Sequence, residues 1–228
     1  MEPLEIALLT ILLLYPLLDI FFASRYQSNS KSVNYIKISL ELWAMTALLL
    51  YAFAQRDLSV SAAQLLPSST FKTYLALTLL LLFIGYQCYS IKATNANSDY
   101  RQQIAEQFEK ADAAMLHLLP NSRREFLLFT VVLSVSAGVC EELIFRWYLY
   151  EFLQTHNHWL AAIFGSSLLF GLWHIYLGWQ HVLRATITGG VLCGIYLYFD
   201  SILVVILLHI LMDVYSGSIA YYARRSLL

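Results

Sequence analysis

FLLFTVVLSVSAGVCEELIFRWYL, residues 126–149, is an apolar run broken only by Glu141, Glu142 and Arg146. As a helix rising about 1.5 Å per residue it is long enough to cross a hydrocarbon core of about 30 Å. Ionisable groups at that depth are costly, and those that persist mark functional sites. The stretch therefore reads as a membrane helix carrying a charged cluster, with the rest of the chain as its housing.

Composition agrees. The 228 residues are 59% hydrophobic and 13% charged, with a mean hydropathy of +0.62. An ordinary globular domain is roughly half apolar and about a quarter charged. The expected fold is an all-α polytopic bundle with short links. A net charge of −1 gives no reason to expect a nucleic-acid partner. Cys88, Cys140 and Cys193 fall in apolar stretches without pair spacing. They read as buried packing residues, which excludes a disulfide scaffold or a cysteine-based zinc site.

Before the charged run, the first helix is expected over Pro3–Phe22, with Asp19 near its end and Pro16 as a kink point. Glu2 and Glu5 precede its apolar core without Lys or Arg, the wrong sign for a signal peptide, so it reads as a retained span. A polar link (Arg25, Gln27, Ser28, Asn29, Ser30, Lys31) leads to a second helix over Tyr35–Ala54, and Gln55–Ser69 leads to a third over Phe71–Ile91. Within the polar segment Lys92–Ser122, Ile104, Phe108, Ala111, Met115 and Leu118 recur at three- and four-residue spacing. Arg101, Glu106, Glu109 and Asp112 oppose them, the pattern of an amphipathic helix at the membrane surface or under the bundle. Pro120 ends it. Residues 1–122 are thus read as three transmembrane helices plus an interfacial helix, and 123–228 as a four-helix core within one integral membrane domain.

Ser122 and Glu125 have the spacing of a capping box, which starts the fourth helix. It is expected to reach Leu153. The fifth, sixth and seventh are read over His158–Leu177, Arg184–Phe199 and Ile202–Ala223, giving about seven spans. Ser167 with Gly171 and Gly190 with Gly194 are small pairs that let helices approach closely, although small residues are common in membrane helices generally. Taking alternate links, one side collects Arg25, Lys31, Lys37, Lys92, Arg101, Lys110, Arg123, Arg124, Arg184, Arg224 and Arg225. The other side holds only Arg56 and Lys72. The positive-inside rule puts the C-terminus in the cytoplasm and the N-terminus outside.

Glu142 and Arg146 stand four apart with the acid first, the favourable order for a helical ion pair. Glu141 lies about 100° round the helix without such a partner. The first two read as a brace and Glu141 as a candidate general base. The competing reading is one ion-pair network that only specifies packing. Phe170 and His174 form Phe-x-x-x-His on the fifth helix, and His209 and Asp213 form His-x-x-x-Asp on the seventh. Residues four apart share a helix face, so Asp213 is placed to orient the His209 imidazole. His117, His156, His158 and His181 sit in links or at helix ends and read as incidental. On the helical rise, Glu141 lies roughly 18 Å below Leu153, His174 roughly 24 Å below His158, and His209 roughly 15 Å below Phe199. The groups meet only if the fourth helix is long, tilted or broken near Gly138.

Ala-Gly-Val-Cys-Glu-Glu-Leu-Ile-Phe-Arg (137–146), Ser-Leu-Leu-Phe-Gly-Leu-Trp-His (167–174) and His-Ile-Leu-Met-Asp (209–213) resemble the three motifs of the CAAX protease and bacteriocin-processing (Abi) family. The resemblance covers about Arg123 to Tyr215. It implies an intramembrane endopeptidase of the glutamic type, with Glu141 and His174 activating a water and His209 with Asp213 holding the oxyanion. It also implies a membrane-associated peptide substrate, prenylated or leader-bearing, and residence in a bacterial inner membrane without a cofactor. Two positions depart from the pattern: Trp147 stands where members often have glycine, which would narrow the site, and Asp213 where eukaryotic members have asparagine. An ionised carboxylate cannot donate to an oxyanion, so Asp213 is assigned to positioning His209, which donates.

Two other classes fit some of these residues. Glu141, His174 and His209 could supply a zinc ion with one oxygen and two nitrogens, although no His-Glu-x-x-His helix is present. Buried Glu, His and Arg also suit a non-hydrolytic membrane protein, a proton-coupled transporter or a bacteriocin-immunity factor, against which no inverted repeat relates the two halves.

Overall fold

The computed structural model describes residues 2–26, 30–109 and 113–224. The expected link residues Gln27, Ser28 and Asn29, the residues Lys110, Ala111 and Asp112, and Arg225 lie outside the described residues. So do the side chains of Asp19, Arg25, Glu109 and Met115. The fold is all-α: α1 (Pro3–Tyr26), α2 (Lys31–Gln55), α3 (Thr70–Ala96), α4 (Ser98–Glu109), α5 (Ala113–Leu118), α6 (Arg123–His156), α7 (Trp159–Leu172), α8 (Trp179–Phe199) and α9 (Ile202–Arg224).

Among the described residues, five helices are long and apolar enough to cross a membrane: α2, α3, α6, α8 and α9. The apolar stretches Pro3–Leu18 of α1 and Trp159–Leu172 of α7 are shorter. The seven expected apolar helices are all present. The fifth is shorter than expected: α7 stops at Leu172, and the chain turns through a 3₁₀ segment, Ile175–Leu177. Gly178, at φ 96°, makes the turn into α8, a conformation that excludes most side chains. The sixth helix is longer than expected, beginning at Trp179 rather than Arg184.

α6 begins at the expected capping box: the Ser122 hydroxyl accepts from the Glu125 N–H and the Glu125 carboxylate accepts from the Ser122 N–H. Of the three forms that depth allowed it takes the long one, and it is not broken at Gly138. Instead, α-helical geometry gives way to π-helical turns at Leu128–Leu133 and Leu143–Leu149. Such wider turns recur at functional sites, and the second contains Arg146. Gly138 serves a different purpose. A Cβ there would lie 3.0 Å from the Ile210 amide nitrogen and 3.2 Å from the Ile206 carbonyl oxygen, so its absence lets α6 and α9 touch backbone to backbone. Ser167 and Gly171 face α8 as expected, but from α8 it is Gly189, beside Phe170 and Ser167, that makes the close approach. Gly194 faces open space. Of the three free cysteines, Cys140 and Cys193 are buried, whereas Cys88 is exposed, because the outer face of α3 packs on nothing in the chain.

The amphipathic segment forms α4 and packs against α3 and α9. Asn97 starts it, its side-chain oxygen accepting from the Asp99 and Tyr100 amides. At the opposite end of the bundle, the link after α2 acts as a strap. Glu5 accepts from the Ser59 amide and hydroxyl at 2.9 and 2.7 Å, and the Trp147 indole donates to the Ser61 carbonyl at 2.7 Å. The Ile202 amide and Ser201 hydroxyl then donate to the carbonyls of Gln64 and Leu65. Hydrogen bonds from Lys72 and then Ser68 hold the Asp200 carboxyl below the usual carboxylate range. Trp147 also packs edge-on against Phe53. It therefore anchors the strap and does not narrow the site.

Between membrane helices packing and polar contacts, not hydrophobic expulsion, decide association, so the two glycines separate. Gly138→Val forces backbones apart and is expected to cost about 1–3 kcal/mol, as overpacked core positions do. Gly194→Ala, with nothing within 4 Å, is expected to be neutral or slightly stabilising. Thermal unfolding in detergent, followed by size-exclusion fluorescence, measures both.

Candidate active site

Glu142 is fully buried, and its two oxygens serve two helices. Oε2 lies 3.1 Å from Arg146 Nε on its own helix, the pair expected from their spacing. Oε1 accepts from His209 Nδ1 at 2.6 Å, reaching across to α9. With Nδ1–H committed to a carboxylate, the ring is oriented and Nε2 is the nitrogen left for chemistry. His209 Nε2 faces two further acids, Glu141 Oε2 and Asp213 Oδ2, each at 3.8 Å. Asp213 does share a face with His209. The hydrogen bond that orients the imidazole, however, comes from Glu142. The sequence could not show this, since the contact spans 67 positions.

Glu141 is 8% exposed, and its Oε2 has no hydrogen-bond partner among the described residues. It is joined to His209 rather than to His174, the partner expected from the motifs. The reason is the end of α7. His174 lies beyond the helix, in the turn that follows Leu172, and its Nδ1 donates to the Phe170 carbonyl at 2.8 Å. That carbonyl is one of the last in α7 without an intrahelical donor. The Phe-x-x-x-His spacing thus records a helix C-terminus in place of a shared face. With Nδ1 donating, Nε2 of a neutral His174 carries the lone pair.

Phe170 joins the parts. The Arg146 guanidinium lies 4.1 Å from its ring centroid, a cation–π contact between two buried side chains. The rings of His174 and His209 stand 4.9 and 6.1 Å from it, and Phe145 packs edge-on at 5.3 Å. His181, read as incidental, stands 5.8 Å from the His174 ring. No sequence signal marked it, because a lone histidine in the first turn of a helix has no partner at helical spacing.

Three carboxylates, Glu141, Glu142 and Asp213, are set against Arg146 and His209. Even with His209 protonated, one negative charge is left over, and taking up one proton neutralises the cluster. Asp213, with a third of its side chain exposed, is its open edge, and its charge interacts with His209, Glu141, His174 and Glu142. Such a site can accept a proton and can point an N–H at a developing negative charge. Among the described residues, no three His, Cys, Asp or Glu side chains are grouped as the ligands of a metal ion.

These features define an integral membrane bundle with a buried acid–histidine centre. Residues 123–215 match the model of the Rce1-like family, described as type II CAAX prenyl endopeptidase Rce1-like, so the likeness read from the three motifs extends over that segment. At the level of that family the match is to a CAAX protease, a peptidase working in the bilayer. No curated protein and no solved structure matches the chain.

The Glu142 bridge gives a direct test. Removing one partner of a buried pair leaves an uncompensated charge, which costs about 3–5 kcal/mol. Glu142→Ala is therefore expected to lose most of its folded yield in detergent and to melt well below the native chain.

Proposed function

We propose that the protein is an intramembrane endopeptidase in which Glu141 and His174 activate a water against a peptide bond of a membrane-associated substrate. The observation that carries this reading is the His209 imidazole, fixed by Glu142 at one nitrogen while the other faces Glu141 within a segment that matches a peptidase family. Water oxygen adds to the scissile carbonyl carbon while its proton passes to Glu141. The oxygen of the tetrahedral intermediate carries the charge, and His209 Nε2–H is the donor placed to meet it. Collapse breaks the C–N bond, and the proton held by Glu141 goes to the leaving nitrogen. Asp213 holds His209 charged for this step without touching the oxyanion. His174 Nε2, with Nδ1 donating to Phe170, is the second acceptor for the water's proton.

In this reading residues 123–228 are the catalytic unit and 1–122 wall and brace it. The substrate is a lipidated or leader-bearing peptide that enters from the bilayer, and no metal takes part. Glu141→Gln keeps the shape and removes the base. It should slow processing by about a hundred- to ten-thousand-fold, the usual contribution of a general base, with unfolding unchanged. Product formation by native and variant protein, compared in proteoliposomes by mass spectrometry, measures it. A variant that processes at the native rate overturns the glutamic mechanism, and loss of native activity in a strong chelator with recovery on zinc overturns the metal-free one.

In this reading the membrane is a bacterial inner membrane, and the side bearing most Lys and Arg supports a C-terminus in the cytoplasm and an N-terminus outside. A fluorescent-protein fusion after the last residue should then fold and emit, whereas an exported alkaline phosphatase fused there should stay inactive.

A further inference from the structure

The turn carrying His174 is held by a helix far away in the chain, and a proline there makes the hold possible. Trp173 Nε1 donates to the Leu12 carbonyl of α1 at 3.0 Å, between buried residues 161 positions apart. In an unbroken helix that carbonyl would accept from the amide four residues on. Here that residue is Pro16, which has no N–H. The orphaned carbonyl sits in the bundle away from water, where it must find a donor, and the indole is that donor. Tyr15 stacks on the same indole at 4.4 Å, and Phe145, one residue before Arg146, meets it edge-on at 5.0 Å. α1 also packs against the 3₁₀ turn that follows His174.

We propose that Pro16 and Trp173 are positioning residues: the Trp173–Leu12 bond fixes the turn that aims His174 at the site. The inference deepens the proposed hydrolytic reading and rests on it for the role of His174. The bond leaves His174 free to do only one thing with Nδ1, which is to close the end of α7 on the Phe170 carbonyl. The contacts of the imidazole with Phe170, Tyr176 and His181 are local in sequence, so the indole tether is what ties this turn to α1.

The test uses Trp173→Phe, Pro16→Ala and the double variant of the full chain in detergent. Trp173→Phe keeps an aromatic ring and removes the N–H, leaving the Leu12 carbonyl unsatisfied. Pro16→Ala supplies an N–H that satisfies it within α1. The expected result is a reversal: Pro16→Ala raises the melting temperature of the Trp173→Phe protein, and lowers or does not raise that of the native one. The side-chain ¹⁵N signals of His174 should lose the Nδ1–H signature in Trp173→Phe and should not regain it in the double variant, since the carbonyl is then content but the tether is still missing. On a farnesylated CAAX-type peptide in phospholipid vesicles, Trp173→Phe should lower kcat about tenfold or more at nearly constant KM, as misplacement of a catalytic group does.

An equal Pro16→Ala shift in both backgrounds, or an unchanged His174 spectrum in Trp173→Phe, overturns the brace. A native kcat with a changed spectrum overturns the claim that aiming His174 matters. Failure of the hydrolytic reading looks different: Glu141→Gln would process as the native chain does, or the native chain would leave the peptide intact, while the melting and spectroscopic results still judge the brace.

Discussion

The carboxylate of Glu142 is the constraint around which the structure is arranged. A charge with no exposure in a bilayer is tolerable only when its partners are present in the folded state. Arg146 supplies one through the local helix, whatever the rest of the chain does. His209 supplies the other, and it can do so only if α9 comes within hydrogen-bond reach of α6. Gly138, one turn before Glu142, is where the two backbones are allowed to touch. The glycine and the acid are two halves of one solution: the first permits the approach and the second makes it necessary.

Glu142 has a hydrogen bond from His209 on one oxygen and the Arg146 ion pair on the other, whereas, among the described residues, Glu141 has only the 3.8 Å contact with His209. Glu141 has a buried oxygen without a hydrogen bond, and both Arg146 Nη atoms are also unpartnered among the described residues. Native structures rarely leave such groups unmade, and where they do the site has work for them. The guanidinium compensates by stacking on Phe170, which in turn touches both histidines. Packing and polarity are therefore not separate layers here. A single aromatic ring lies between the cation that steadies the acids and the two imidazoles of the site.

The parts of this arrangement that are local in sequence were legible, and the parts that are distant were not. Ser122 and Glu125 announced the start of α6, and Glu142 with Arg146 announced its ion pair, because capping boxes and four-residue pairs depend on nothing outside the helix. Depth allowed a long, a tilted or a broken α6, and the helix runs long, to His156. The end of α7 was missed because a helix face and a C-terminal turn produce the same Phe-x-x-x-His spacing, and Gly178, which decides between them, lies four residues beyond the histidine. The assignment of Asp213 as the orienting acid failed for a related reason. Helical spacing identifies a neighbour, but a hydrogen bond of 2.6 Å from another helix outranks a 3.8 Å contact on the same one. The π-helical turns of α6 left no sequence mark, since Leu143–Leu149 reads as well in one helical geometry as in the other.

The segment that resembles a peptidase, 123–215, holds every acid and histidine of the site but not every residue that places them. Leu8 and Leu12 of α1 and Leu42 and Leu49 of α2 belong to the same buried core as Cys140, Phe145, Phe170 and Trp173. In a bilayer no expulsion from water drives these helices together, so shape and unsatisfied polar groups must select the partner. A proline in α1 looks like a defect when that helix is read alone, because it leaves a carbonyl without a donor. Beside Trp173 it becomes an address. An apolar helix could slide or rotate against its neighbours at little cost, whereas a buried carbonyl with one available N–H fixes both its depth and its rotation. The outward leucines of the first helix, Leu13, Leu14, Leu17 and Leu18, contribute nothing to that address, which rests on Pro16 standing four residues after the carbonyl it exposes.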